Sequence, residues 1–186
     1  MDAIKPDFNF NRFEEELLVS KDNHDLMALI VNAPFAFDKV ATALIFLGIV
    51  VFLLVSDDTQ TIDRLSLTTN EFAQATLNVT SKKFEDIKIP TNDPKNIIAE
   101  AIRKQIVTKT GDWASLFTPE LTPDQARINQ ASAGIAYSSV YPLIGVKNGG
   151  ALIFSFYQYP EKIGPNQVDF MEQYASLVSK VLRSRW

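Results

Sequence analysis

The chain has few residues of the types that carry catalysis or bind metals. Its 186 residues include one histidine, His24, and no cysteine. The missing cysteine excludes disulfides, thiolate nucleophiles, zinc-thiolate sites and cofactors attached through a thioether. A Ser-His-Asp triad or a histidine-rich metal site would have to use His24, which lies in a polar break before a helical pattern. We therefore expect His24 to be a surface or capping residue.

Paired acidic residues and clustered glycines form no catalytic pattern either. Asp57-Asp58 and Glu85-Asp86 are carboxylate pairs, but adjacent residues on a strand or turn point apart, and acid–base catalysis needs carboxylates that converge. The glycines of GVKNGG (145–150) are followed by a strand pattern without Lys-Ser/Thr, so this is not a phosphate-binding loop. We therefore expect that the chain is not an enzyme.

Composition and charge are those of an ordinary globular domain. Apolar residues make up 46% of the chain and charged residues 22%, which is enough apolar material for a buried core. The net charge of −4 provides no basic field for nucleic acid or an anionic membrane, and we expect neither partner. The absent cysteine and the absent signal-peptide pattern favour a cytoplasmic protein.

Residues 40–55 raise the question of a membrane segment. They are sixteen apolar or small residues, whereas a spanning helix needs about 20. Asp38-Lys39 and Asp57-Asp58 flank the run closely and would lie near the hydrocarbon. We favour a helix that is capped by Asp38 and ended by Gly48, followed by a buried strand over 49–55. A membrane-anchored protein is the alternative.

Hydrophobic periodicity and turn residues predict an α+β fold with an antiparallel sheet rather than a strictly alternating parallel fold. The helix starts are marked by a capping box at Thr68 and by N-cap–proline pairs at Asp93 and Thr122. We predict helices over residues 10–19, 25–33, 38–47, 70–77, 95–105, 126–133 and 165–185. We predict strands over residues 49–55, 61–68, 84–89, 136–143 and 151–159, with β-favouring residues at 106–110.

Two hairpins of the sequence resemble those of GAF domains. LGIVVFLLVSDDTQTIDRLSLT (47–68) is similar to the first hairpin of that family, in which a helix ending in Leu-Gly precedes an apolar strand, an acidic turn and a second strand. VYPLIGVKNGGALIFSFYQYP (140–160) looks like the end of the family, in which a Pro-Leu pair, a Gly-rich turn and an aliphatic strand lead to the final helix. The resemblance covers residues 36 to 184.

This resemblance implies a central five- or six-stranded antiparallel sheet. The N- and C-terminal helices would pack on one face, and a ligand pocket would lie on the other face under the middle segment. Residues 1–35 would be a helical extension of a GAF-like domain over 36–186. No covalent bilin is expected without cysteine, and no haem is expected because His24 lies outside the matched region; the cofactor or ligand is unknown.

Six residues are candidates for lining such a ligand pocket. Four are aromatic and could equally fill the core. Two are polar residues on the helix after Pro123, which could face a ligand or solvent. The candidates are Trp113, Phe117, Arg127, Gln130, Tyr137 and Phe154.

The apolar seam of the last helix has two interpretations. Its residues recur at spacings of three and four between Val168 and Leu182, so they either bury the chain's own core or pair with a second copy. We expect a homodimer through the terminal helices, in a non-catalytic regulatory module that senses a small molecule or light within a signal-transduction protein. The alternative is a ligand-free dimerisation or protein-interaction scaffold of the same fold, in which aromatic residues fill the pocket.

Overall fold

A six-stranded antiparallel sheet forms the centre of the computed structural model, which describes residues 8–36 and 46–185. The strands are β1 (Leu47–Val55), β2 (Thr61–Leu67), β3 (Lys88–Pro90), β4 (Thr108–Thr110), β5 (Tyr137–Pro142) and β6 (Gly150–Phe156). Their spatial order is β3-β2-β1-β6-β5-β4. The α+β fold with an antiparallel sheet is therefore confirmed, with six strands.

Seven α-helices accompany the sheet in the described residues. They are α1 (Phe10–Val19), α2 (Asn23–Asn32), α3 (Glu71–Val79), α4 (Ile97–Lys104), α5 (Ala114–Phe117), α6 (Pro123–Ser132) and α7 (Pro165–Arg185). Short 3-10 turns cover Ala33–Phe35, Phe84–Asp86 and Pro160–Lys162.

The two central strands, β1 and β6, are buried on both faces of the sheet. Every residue of β6 is buried, as are the first seven residues of β1, because apolar layers cover the sheet on each side. The strands also approach closely at the start of β6. A Cβ on Gly150 would lie 2.6 Å from Leu54 Cδ2 and 2.7 Å from the Leu53 carbonyl oxygen, so this position requires glycine.

The terminal helices cover one face of the sheet, as predicted. Side chains of α1, α2 and α7 share one apolar cluster with Val50, Phe52 and Phe154 of the sheet. The alternate sheet residues, such as Ile49, Val51 and Ile153, point to the opposite face and pack against the segment that contains α3–α6. We call these the terminal-helix face and the middle-segment face.

Tyr174 of α7 joins the terminal helices to one another. Its ring stacks on Phe13 of α1 with centroids 4.8 Å apart, and its hydroxyl donates a 2.7 Å hydrogen bond to the Ile30 carbonyl of α2. Burial raises the pKa of Tyr174 well above its ordinary value, so it stays a neutral donor. Residues 8–36 thus pack into the same core as α7, and the division at residue 35/36 stays a prediction.

The prediction that a helix ends at Gly48 is wrong, because β1 already begins at Leu47. A Cβ on Gly48 would lie 2.8 Å from Ile135 Cδ1, so this glycine permits close packing under the sheet rather than ending a helix. The start of that predicted helix, at Asp38, lies outside the described residues. Among residues 8–36 and 46–185, no helix is both long and apolar enough to cross a membrane.

Two predicted helix caps and one predicted strand are also corrected. Asn70 rather than Thr68 caps α3, and Asn96 rather than Asp93 caps α4, because each asparagine accepts hydrogen bonds from backbone N–H groups of the first turn. The strand predicted over 84–89 is instead a 3-10 turn followed by β3. A short turn here places Phe84 over the middle-segment face.

Replacing Tyr174 by phenylalanine tests the link between the terminal helices. Tyr174→Phe leaves the buried Ile30 carbonyl without its donor, and we expect the free energy of unfolding to fall by about 1–3 kcal/mol. Tyr159→Phe is the matched control, since Tyr159 is 64% exposed and its loss should change stability by less than about 0.5 kcal/mol. Urea unfolding of both variants measures the difference, and equal values would show that the bond contributes nothing.

Candidate functional site

The six predicted pocket residues lie in three different environments. Trp113 and Phe117 are buried on the middle-segment face. Tyr137 and Phe154 are buried on the terminal-helix face, on the opposite side of the sheet. Arg127 is exposed and Gln130 is partly buried, both on α6. The structure therefore brings Trp113, Phe117 and Gln130 to one region but does not assemble all six around one cavity.

Trp113 fills space under the middle segment. Its indole N–H donates to Ser138 Oγ at 2.9 Å, and this oxygen is hydrogen-bonded to Ser155 Oγ at 2.8 Å. Phe117 packs edge-on against the indole with centroids 5.5 Å apart. Both aromatic rings are at most 4% exposed, so they occupy the core beneath this segment rather than enclose an open cavity.

Gln130 fixes the loop that carries Trp113. Its Oε1 accepts a hydrogen bond from the Trp113 backbone N–H at 2.8 Å. Its Nε2 donates to the carbonyls of Gly111 and Ile135 at 2.9 and 3.1 Å. All of these partners belong to the protein backbone, so Gln130 has a structural role in this state.

Arg127 forms an ion pair at the surface. Its guanidinium lies 2.9 Å from the Asp112 carboxylate and 3.8 Å from that of Asp124. The hydrogen bond from Arg127 lowers the pKa of Asp112, which keeps the carboxylate ionised. Arg127 thus joins α6 to the loop before α5 at the surface, and Gln130 joins the same two parts in the interior.

An open cleft lies between the end of β2 and helix α3 on the middle-segment side. Its volume is about 520 Å³. We call it the β2–α3 cleft. None of the six candidates lines it; its lining includes Leu67, Thr68, Asn70, Gln74, Leu77 and Phe84.

A second groove, of about 440 Å³, lies between α7 and the β5 side of the sheet. Tyr141, Ile144, Glu172 and Arg183 are among its lining residues. Burial, with the nearby Glu172 carboxylate as a smaller cause, raises the pKa of Tyr141 well above its ordinary value. This groove opens on the terminal-helix side, and Gln105 and Val107 of the middle segment also line it.

Arg64 of β2 is a buried cation that the sequence analysis missed. It is 7% exposed, and its guanidinium carbon lies 4.1 Å from the ring centroid of Phe84 and 4.8 Å from that of Phe117. Within the described residues its Nε has no hydrogen-bond partner. Burial lowers the pKa of Arg64 to about 9, so the guanidinium is still charged at neutral pH. One feature of the sequence indicated that Arg64 could be buried. Asp63 and Arg64 are adjacent in a strand, and neighbouring strand residues point to opposite faces of the sheet.

His24 lies in a small surface group with Asp22 and Asp25. Their potential ligand atoms are within 4.8 Å of one another, and all three residues are exposed. Asp22 Oδ1 accepts a hydrogen bond from the Asp25 backbone N–H at 2.9 Å and so caps α2. The group is explained as a helix start.

Solved structures of GAF domains have the same fold. The GAF domain of an Acinetobacter phosphoenolpyruvate-protein phosphotransferase is 11% identical with a TM-score of 0.62, covering 94% of this chain and 90% of that one. The GAF domain of the cyanobacteriochrome TePixJ is 18% identical with a TM-score of 0.58, covering 90% and 93%. No family model and no curated protein matches the sequence. The likeness shows the fold, and the predicted GAF fold is confirmed.

The expectation that the chain is not an enzyme is corrected by another structure with this fold. A free methionine-R-sulfoxide reductase from Neisseria meningitidis, solved with its substrate, is 14% identical with a TM-score of 0.57 and covers 94% of this chain and 86% of that one. The fold therefore occurs in enzymes as well as in signalling proteins. Missing catalytic motifs therefore do not exclude catalysis for a chain of this fold, and the expectation was wrong.

Gln130→Ala tests whether this residue holds the middle segment together. The variant loses three hydrogen bonds to the backbone, and we expect the free energy of unfolding to fall by about 3 kcal/mol. Arg127→Ala, on the same helix, removes only a surface ion pair and should reduce stability much less. Chemical unfolding measures both values, and equal stability of Gln130→Ala and wild type would leave Gln130 free for another role.

Proposed function

We propose that the chain is a regulatory module of a signal-transduction protein and that it binds a small molecule in the β2–α3 cleft. The observation that carries this proposal is the cleft itself. Its volume of about 520 Å³ falls within the roughly 300–1,000 Å³ of typical small-molecule sites. It lies on the side of the sheet where the middle segment packs, and its lining combines apolar side chains with the amides of Asn70 and Gln74.

Direct contacts lead from this cleft to the terminal helices, which supports output through them. Thr68 lines the cleft, and its hydroxyl is 3.0 Å from the Val31 carbonyl at the end of α2. Asn32 Oδ1 accepts hydrogen bonds from the Thr69 backbone N–H and hydroxyl. The preceding Ile30 carbonyl accepts the bond from Tyr174 of α7. A ligand that moves Thr68 or Thr69 would therefore act on α2 and, through it, on α7.

The ligand-free scaffold is a second candidate function, and the aromatic packing favours it. Trp113 and Phe117 fill the space beneath the middle segment, while Tyr137 and Phe154 fill the core on the other face. In this alternative the module would act only through contacts with other proteins. The cytoplasmic location and the absence of a nucleic-acid partner stay predictions from composition and charge.

A bulky side chain in the cleft separates these two functions. Gln74→Trp places an indole among the lining residues, and we expect ligand binding to weaken at least tenfold because the volume is occupied. Asn78→Trp is the matched control. It lies one turn further along α3, outside the lining, and both substitutions remove the same 2.8 Å hydrogen bond between Gln74 and Asn78. The measurement is a thermal-shift screen with a metabolite library, followed by titration of each hit against the wild type and both variants.

The outcome of the screen decides between the candidates. Hits that bind the wild type and Asn78→Trp but not Gln74→Trp would support the regulatory binding function. Hits that bind all three proteins equally would place the site elsewhere. A wild type that binds nothing would contradict the proposal and favour the scaffold.

The predicted homodimer would have to use the outer surfaces of the terminal helices. The seam residues of α7 are buried within the chain, namely Met171, Tyr174, Val178 and Leu182. By contrast, Leu18 and Val19 of α1 are 48% and 76% exposed.

We expect light scattering to give twice the 20.8 kDa mass of one chain. The double variant Leu18→Glu with Val19→Glu should be monomeric, and Ile128→Glu on α6 should remain dimeric. A monomeric wild type would contradict the prediction.

A further inference from the structure

We propose that Arg64 recognises an oxyanion, a carboxylate or phosphate group, on a small molecule that enters from the β2–α3 cleft. This inference rests on the proposed binding function and names the chemical class of its ligand. It is carried by the buried Arg64, whose Nε has no hydrogen-bond partner among residues 8–36 and 46–185, beside an open cleft.

Arg64 is buried without a counter-charge in the described part of the chain. Charged side chains are rarely buried without a partner, because removing them from water is unfavourable unless an opposite charge or hydrogen bonds replace the hydration. In the described part of the chain, no carboxylate forms an ion pair with Arg64, and burial alone accounts for its lowered pKa. Glu120, in the loop after α5, is already paired with Lys82 at 2.5 Å. A bound anion would supply the missing partner.

The guanidinium of Arg64 also retains the capacity to donate hydrogen bonds. Phe84 and Phe117 contact Arg64 through their rings rather than through oxygen acceptors. The Nε of Arg64 and the Oγ1 of Thr118 are both buried without hydrogen-bond partners in the residues that the structure describes, and both adjoin Phe117. A guanidinium donates two parallel hydrogen bonds to the paired oxygens of a carboxylate or phosphate.

A ligand would reach Arg64 from the β2–α3 cleft, past the ring of Phe84. Phe84 both contacts the guanidinium and lines the β2–α3 cleft, so its ring lies at the boundary between the two. Phe84 is only partly buried and belongs to a 3-10 turn that contains no buried residue, whereas Phe117 is 3% exposed. Rotation of the Phe84 ring opens the cleft to Arg64 while the Phe117 side stays closed.

The test is thermal unfolding of the full chain in sodium phosphate, sodium benzoate and sodium chloride at equal ionic strength and pH. We expect the Tm of the wild type to rise with phosphate or benzoate and to saturate, relative to chloride. In Arg64→Met the apparent affinity for that anion should fall at least tenfold. The Tm without anion should be unchanged or higher, since a similar apolar side chain replaces an unpaired charge. Arg127→Met, which removes an exposed arginine, is the control and should respond like the wild type.

Each outcome bears on the proposal. Saturation by phosphate alone assigns a phosphate ligand, and saturation by benzoate alone assigns a carboxylate. An equal response of the wild type and Arg64→Met would overturn the role of Arg64, as would the absence of any response to either anion. If neutral compounds then still bind in a manner sensitive to Gln74→Trp, the binding function stands and only the anion class fails.

A second measurement keeps the proposal testable if Arg64→Met does not fold. The Nε–H signals of the wild type labelled with ¹⁵N-arginine are followed during the same titrations, with Arg64→Lys used to assign the Arg64 signal. We expect the Arg64 signal to shift with phosphate or benzoate and not with chloride. An unshifted Arg64 signal in all three salts would overturn the proposal.

Discussion

The sheet is apolar on both faces, and every other part of the structure has to cover one of them. β1 and β6 lie at its centre with side chains that alternate between two apolar clusters. Leaving either face in water would expose large apolar side chains, so two separate layers are required. The terminal helices form one layer, and the segment with α3–α6 forms the other. Among the residues that the structure describes, the two layers differ in how many of their buried polar atoms lack hydrogen-bond partners. The candidate site lies on the side with more such atoms.

The terminal-helix layer is held together by hydrogen bonds as well as by apolar packing. Tyr174 contributes ring packing and a hydrogen bond, and Arg185 donates to the Ser20 carbonyl and hydroxyl at 2.6 Å. The middle-segment layer is built from shorter elements and covers a charged residue. Of the three buried polar atoms without partners in the described residues, Arg64 Nε and Thr118 Oγ1 are on the middle-segment side, and Ser139 Oγ of β5 is on the terminal-helix side. Local opening should be easier where fewer interactions are lost, so this is the layer in which a ligand can be admitted.

Local patterns in the sequence were sufficient to predict most elements of the fold. The helix over 165–185 was predicted with its observed limits, and both central hairpins follow from apolar runs with turn residues between them. The errors occurred where long-range packing decides. Gly48 permits contact with Ile135, and Asn96, which caps α4, also donates to the Leu116 and Thr118 carbonyls. Ile135 is far from Gly48 in sequence, and Leu116 and Thr118 are far from Asn96. The local sequence therefore favoured a helix end at Gly48 and a cap at Asp93.

The candidate site was harder to predict because it depends on which face each residue occupies. Periodicity places Tyr137 and Tyr141 on one face of β5, but it does not say which layer will cover that face. Trp113 was a candidate for a ligand pocket that could equally fill the core; it is buried on the middle-segment face, and its partner Ser138 lies on the face opposite Tyr137. Arg64 follows from a stricter rule. In β2 only Ile62 and Arg64 are buried, and neighbouring strand residues point to opposite faces, so of the adjacent Asp63 and Arg64 one must face the core. Asp63 accepts from Thr61 and Lys88 at the sheet edge, which leaves Arg64 as the charge that faces the core.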